Sequence, residues 1–312
     1  LGFFQLARFT ARCQRVFRSR IVAVLMLTGC GPIEPQWLLA ESGVATDLLA
    51  IHGSSANNVW AVGRAGVVLR FDGQKWERVE TGLPTTFSGV YVAAPNDVWV
   101  VGEEGVMLRW QGAGFTRVNH SSSDYRAVLG TGSNDVYFAS SSFAEHWNGA
   151  SITTLEYAQS GSSYGVSATQ LTGGPGGIWT TASGYVYRLY PTTAEKLRFD
   201  TSGSWDVAVV GSDAFWVFDN GYEGKALRAD GSTWVTVDFP RQGTFSAQQV
   251  VGGWANSATD VWFIGSQGGL WQWDGRTVRT TANNTPMRGL WGNVNDMWAV
   301  GEGGTLARRF AP

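Results

Sequence analysis

Arg126 and Arg288 are the two side chains best placed to do chemistry. Each opens a short run that the repeat pattern makes an innermost strand, and Asp124, Tyr125, Tyr164 and Asp206 occupy similar positions. Arginines drawn together hold a carboxylate, a tyrosine beside a carboxylate can act as a glycosidase nucleophile, and an aspartic acid can protonate a leaving oxygen. The same residue types also make the polar rim of a surface that only binds. Little else supports catalysis: His52, His120 and His146 fall in different repeats, and no zinc-helix, calcium-loop, phosphate-loop or nucleophile-elbow motif is present. No metal and no cofactor is expected, and a non-catalytic role comes first.

The scaffold that would position these residues is legible as a repeat. Asn58-Val59-Trp60-Ala61-Val62-Gly63, Asp97-Val98-Trp99-Val100-Val101-Gly102, Asp135-Val136-Tyr137-Phe138, Asp260-Val261-Trp262-Phe263-Ile264-Gly265 and Asp296-Met297-Trp298-Ala299-Val300-Gly301 are versions of one pattern, with degenerate copies at Trp179 and Trp216. Successive aromatic anchors lie 39, 38, 42, 37, 46 and 36 residues apart. Periods of this size built from short alternating strands are those of propeller blades. The 41 glycines and 16 tryptophans among 312 residues suit many tight turns and many sheets packed face to face. The pattern predicts an all-β, seven-bladed β-propeller of four-stranded blades. The anchors are expected to pack between sheets, and the aspartates before them to form turns.

The last repeat lacks an outer strand, because the chain stops soon after Phe310. The missing strand is found at the other end: Gln36-Trp37-Leu38-Leu39-Ala40-Glu41 reads like Lys75-Trp76-Glu77-Arg78-Val79-Glu80. Residues 36–41 are therefore expected to complete the last blade and close the ring non-covalently, which removes two open sheet edges. The propeller domain is then 36–312.

Residues 1–29 form a separate object. Arg8, Arg12, Arg15, Arg18 and Arg20 precede a short apolar run, Ile21 to Leu27, which ends in Thr28-Gly29-Cys30. This is the order of a secretory signal, and the run is too short to span a bilayer. Leu27-Thr28-Gly29-Cys30 resembles the lipobox of bacterial lipoproteins. That resemblance implies a signal peptide over 1–29, lipidation of Cys30, a tether over 30–35, and a place in the cell envelope, at the outer membrane because Gly31 and not Asp follows the cysteine. Removing 1–29 leaves 18 basic against 25 acidic residues, a net charge of −7. That is the wrong sign for a nucleic-acid partner. With Cys13 removed and Cys30 lipidated, the folded domain would hold neither disulfide nor thiolate.

The pattern Trp-x-Val-Gly-x-x-Gly-x-x-x-Arg at 60–70, 99–109 and 298–308 resembles the repeats of the photosystem II assembly factor family and of related sialidase-like, Asp-box propellers. Over 36–312 this resemblance implies a repeat type shared by assembly chaperones, surface binding modules and hydrolases. The expected function is a membrane-anchored binding or assembly module that recognises a protein or glycan through loops of one propeller face. A glycan hydrolase or lyase with a central pocket and a structural envelope component are the alternatives. The expected pocket rim is Asp124, Arg126, Tyr164, Asp206 and Arg288; the expected interface loops carry Tyr222, Glu223, Arg241 and Phe245.

Overall fold

The computed structural model describes residues 37–118, 121–157, 170–174, 177–182, 185–197, 205–210, 215–219, 225–230, 233–238, 250–265, 268–281 and 286–310. Cys30, Tyr164, Tyr222, Glu223, Arg241 and Phe245 lie outside them. So do the signal segment and the tether. Of Asp206 the backbone is described, within the strand Trp205–Val210.

Strands follow one another as antiparallel neighbours and group into separate sheets, each named here by its anchor aromatic. The Trp60 blade holds Leu48–Ser55, Asn58–Gly63, Val68–Phe71 and Trp76–Arg78 in that order from inside to outside, and the Trp99 blade repeats it with Phe87–Ala94, Asp97–Gly102, Met107–Trp110 and Phe115–Arg117. Innermost strands adjoin in cyclic order, from Leu48–Ser55 through Phe87–Ala94, Tyr125–Gly132, Thr172–Gly174, Trp205–Val210 and Val250–Ser257 to Met287–Asn293, which returns to Leu48–Ser55. This is a closed β-propeller.

The expected seven four-stranded blades are corrected to six. Among the described residues the four-stranded blades are those of Trp60, Trp99, Tyr137, Trp216, Trp262 and Trp298, whereas the sheet around Trp179 has five strands. Its fifth strand, Glu156–Tyr157, leaves the preceding blade and pairs in parallel with Thr193–Leu197. Two residues carry no periodicity, so nothing in the sequence marks them as a strand.

The closing strand is Trp37–Leu39, shorter than the expected 36–41. It pairs antiparallel with Leu306–Phe310, Trp37 opposite Arg309, and so completes the last blade with a strand from the other end of the chain.

The core lies between sheets. Trp60, Trp99, Trp216, Trp262 and Trp298 are fully buried. Each is received by aromatic residues of the following blade: Trp60 by Trp110 and Phe115, Trp99 by Phe138 and Trp147, Trp216 by Phe263 and Trp273, Trp298 by Phe71 and Trp76. Trp262 meets Trp37 edge-on at 5.6 Å, so the closing strand supplies the contact that completes the series. Edge-on aromatic pairs of this kind add to the area they bury, and the tapering gap between blades accepts a flat ring.

The aspartates ahead of the anchors do not form turns as expected. Asp97 and Asp296 each receive both forks of the arginine that ends the repeat: Arg109 at 2.7 and 2.9 Å, Arg308 at 2.7 and 2.7 Å. The same guanidinium planes lie 4.8 Å from Trp99 and 4.6 Å from Trp298. In other blades the place of the arginine is taken by His146, bonded to Asp135, or by Gln272, bonded to Asp260. The recurring Asp, Trp and Arg of the motif are thus one packing unit.

Candidate functional site at the propeller axis

Every blade has two ends. At the entry end the chain passes into the innermost strand, and the connections between second and third strands lie beside it; at the turn end sit the tight turns between first and second strands. The glycines of the Gly-x-x-Gly motif hold the entry end together. A Cβ on Gly63 would lie 2.0 Å from the carbonyl oxygen of Asp47, and one on Gly66, whose φ is +70°, would lie 1.9 Å from that of Leu83 in the segment leading into the next blade. Neither position has room for a side chain. Both glycines are accounted for by packing and not by a ligand.

At the entry end the first few residues of the innermost strands carry a repeated irregularity. The register slips by one residue between Leu48 and Ala50, Phe87 and Gly89, Tyr125 and Ala127, Trp205 and Val207, Val250 and Gly252, and Met287 and Gly289. The extra residues are Leu49, Ser88, Arg126, Asp206, Val251 and Arg288. A bulge of this kind leaves its residue out of the ladder and re-aims it, and bulges favour rims and binding sites. Three of the five expected rim residues, Arg126, Asp206 and Arg288, therefore occupy equivalent bulge positions at the entry end of their blades.

Their partners differ. Arg126 is exposed and has no ion pair among the described residues. Arg288 pairs with Glu302 of its own blade. Asp124 accepts the Glu104 N–H at 2.8 Å, and so ties its loop to the preceding blade. A neighbouring link joins the last blade to the first: Asp47 accepts the Gly303 N–H at 2.9 Å and meets Arg64 at 3.1 Å. The Gly303 N–H, above all, holds the Asp47 carboxyl below its ordinary range, with Arg64 and Arg288 helping. Carboxylates occupied in this way are positioned as struts.

Tyr125, read as a possible nucleophile beside the rim, is buried and donates its hydroxyl to buried Glu145 at 2.6 Å. Burial, reinforced by the Glu145 carboxylate, pushes its pKa well above the ordinary tyrosine value. It is neither accessible nor activated.

Below the bulges, the residues paired with the anchor aromatics form a tier around the axis: His52, Tyr91, Leu129, Trp254 and Trp291 face Trp60, Trp99, Tyr137, Trp262 and Trp298. The ring of His52 lies 5.0 Å from Tyr91, 5.9 Å from Trp291 and 6.3 Å from Trp254, contacts that reach into three other blades. Trp254 in turn donates to the Gly292 carbonyl at 2.9 Å. Side chains from four blades thus meet at this level, below the bulge residues. The Val92 N–H donates to His52 Nδ1 at 3.2 Å, so the neutral ring carries its proton on Nε2. Burial pulls the His52 pKa down to about 3, which keeps the ring neutral. Sequence alone gives this histidine little weight; its only mark is a place in an innermost strand, opposite an anchor.

Among the described residues no group of three or more His, Cys, Asp or Glu side chains could hold a metal ion, and no helix is long and apolar enough to cross a membrane.

No family model matches the sequence, and no curated protein matches it. Solved structures do. A YCF48 bound to a D1 peptide superposes with a TM-score of 0.72 at 18% identity, over 88% of this chain and 97% of that one. YCF48 from Cyanidioschyzon merolae gives 0.70 at 17%, over 88% and 99%. A catalytically inactive virginiamycin B lyase from Staphylococcus aureus, with quinupristin, gives 0.75 at 14%, over 89% and 100%. The likeness is one of fold. At these identities a peptide binder and a lyase are matched equally well, so the choice between binding and chemistry falls to this chain's own residues.

Proposed function

We propose that the propeller is a non-catalytic protein-recognition module that binds an extended segment of its partner across the entry face, at the axial mouth bordered by the bulge residues. The observation that carries this reading is the pairing of a variable rim with a tier below it where His52, Tyr91, Trp254 and Trp291 meet from four blades. Packing fixes the anchors, while the equivalent bulge positions hold Leu49, Ser88, Arg126, Asp206, Val251 and Arg288. The aromatic tier below them favours a ligand lying over the mouth rather than one enclosed beneath it. Exposed Arg126 supplies a donor for a partner's carboxylates or main-chain carbonyls. The loops holding Tyr222, Glu223, Arg241 and Phe245 are proposed to widen this surface, with Tyr164 on the rim. Cys30 is proposed as the lipidated anchor, after removal of 1–29, that holds the module at the envelope and most naturally at the outer membrane.

Among the described residues a glycan hydrolase or lyase has no comparable support, because the carboxylates of Asp124, Asp47 and Glu302 are each engaged by a neighbouring N–H or arginine. The test is crosslinked capture from the native envelope with wild type, with an Arg126→Glu/Arg288→Glu variant, and with Arg279→Glu in an outer strand. A discrete protein partner should be recovered by wild type and by Arg279→Glu, and at least about tenfold less by the rim variant, as expected when central interface residues are removed. Capture unaffected at the rim, or release of sugar from an envelope glycan, would reject the reading.

A further inference from the structure

Five large hydrophobic side chains are exposed among the described residues, and four of them belong to the closing blade: Leu38 (47%), Leu39 (76%), Val294 (50%) and Phe310 (45%). Outer strands of the other blades are polar at the register of Leu39, and at the register of Leu38 they are polar except in the Trp216 blade, where a single exposed valine, Val235, takes that place next to Thr236. Glu77, Thr116, Thr153 and Arg279 stand where Leu38 does, and Arg78, Arg117, Thr154 and Thr280 where Leu39 does. An apolar concentration on one blade of a repeat protein is not explained by the repeat.

The register also orients it. Phe310 lies opposite Asp296, Val294 is in the turn between Asn293 and Asp296, and Trp37 lies opposite Arg309. All three are therefore at the turn end of the closing blade. Arg288 and Glu302 are at its entry end. The chain reaches the blade at the same turn end, since Trp37 begins the closing strand. Cys30 precedes it by seven residues, a span of at most about 25 Å.

We infer that the turn-end corner of the closing blade, with Leu38 and Leu39 on its outer edge, is a lipid-contacting surface that sets the propeller's turn face toward the bilayer and its entry face away from it. This rests on the anchoring of the chain through Cys30 proposed above and adds an orientation to it. A bare lipid anchor leaves a ring free to tumble, and the domain's net negative charge gives no attraction to anionic headgroups. Apolar side chains beside the anchor can enter the headgroup region to a depth of several ångströms and hold one orientation. A three-residue edge is too short to favour strand addition by another protein, whereas contact with lipid requires no backbone pairing.

The test uses the full chain, processed and recovered from cells, with one cysteine introduced at a time: Val294→Cys, Phe310→Cys and, at the opposite end of a blade, Arg126→Cys. Each is labelled with an environment-sensitive fluorophore and placed in phosphatidylethanolamine and phosphatidylglycerol vesicles that carry a lipid-borne quencher. Labels at 294 and 310 should be quenched at least about threefold more than the label at 126, as insertion on one side only requires. Equal quenching at the three positions, or stronger quenching at 126, overturns the inference. Palmitate labelling of the same preparations separates the two readings. Palmitate incorporation without selective quenching rejects the orientation alone. Selective quenching without palmitate supports the surface and rejects Cys30 as the anchor. Absence of both removes both.

Discussion

Arg109 places both forks of its guanidinium on the two carboxylate oxygens of Asp97, at 2.7 and 2.9 Å, with both side chains mostly buried. Burial alone would push the Asp97 carboxyl up, but the Arg109 bonds, a Ser133 hydrogen bond and the Arg109 charge together outweigh it and the pKa falls. The pair spans second and third strands while the guanidinium also lies over Trp99 and over Trp147 of the next blade, so it joins strand pairing to blade packing. Asp97→Ala should lower stability by about 2–3 kcal/mol, since it leaves a largely buried guanidinium unpaired. Arg109→Lys keeps the charge but loses the fork and the planar stack, and should cost about 1–2 kcal/mol. Urea midpoints for both variants, with Arg78→Ala at an exposed pair as the control that stays near wild type, check this.

His52 gives the pH dependence a separate window. Its folded pKa, about 3, is below the ordinary 6.5, so the unfolded chain takes up the proton first. The neutral ring's contribution is complete above pH 6.5 and is lost progressively as pH falls from there toward 3. Between about pH 6.5 and about pH 4.5 this should remove about 2–3 kcal/mol, ahead of carboxylates such as Asp97, whose depressed pKa delays their loss to lower pH. Denaturation of wild type and His52→Gln across this range should show a steep wild-type slope and a flatter one in the variant. Parallel slopes would assign the acid sensitivity elsewhere.

The propeller and its closure are legible because they depend on features that repeat: an anchor every 36–46 residues, hairpin pairs such as Asp72-Gly73 and a Trp37 segment that copies the Trp76 segment. The fifth strand of the Trp179 sheet is not legible, since Glu156–Tyr157 follows no pattern and pairs outside the repeat. The same holds for the partners of the motif's aspartates. Spacing shows that Asp97 and Arg109 recur together twelve residues apart, but only the antiparallel register turns that separation into a contact. The candidate rim is legible in Arg126 and Arg288, which stand at strand starts. The bulge that makes them equivalent, and the aromatic tier beneath, come from pairing across strands that a linear reading does not contain.

Two glycine environments at the entry end separate backbone strain from lack of space. Gly82 has φ +73° with nothing within 4 Å of the place a methyl group would take, whereas Gly105, at φ +64°, faces the Ser121 carbonyl oxygen at 2.0 Å. Gly82→Ala should therefore cost about 1 kcal/mol, the ordinary penalty of a left-handed conformation. Gly105→Ala must also displace the segment that leads into the Tyr137 blade, and should cost about 3 kcal/mol or more. Thermal and urea unfolding of the two variants should differ clearly; equal losses would show that the junction between blades yields freely.

Closure of the ring can be tested at Trp37, which leaves the exposed Leu39 untouched. Its ring meets Trp262 edge-on, and it packs with the cluster of Ile264, Leu270 and Met287 that joins the last two blades. Trp37→Ala should remove about 3–5 kcal/mol, as for other large aromatic truncations at packed positions. Its effect should also differ in kind from Trp76→Ala. Trp76 packs against Trp298 across the junction of the last blade and the first, but its own strand is held within a continuous hairpin from Leu69 to Arg78. The closing strand has no such covalent neighbour and pairs through three residues with Leu306–Phe310, extended by the Ala40 N–H on the Leu306 carbonyl. Loss of the Trp37 contact should release it and expose the edge of that strand, an open template for association with other chains. Size-exclusion chromatography under mild heating should then show oligomers for Trp37→Ala while Trp76→Ala, though destabilised, stays monomeric until it unfolds.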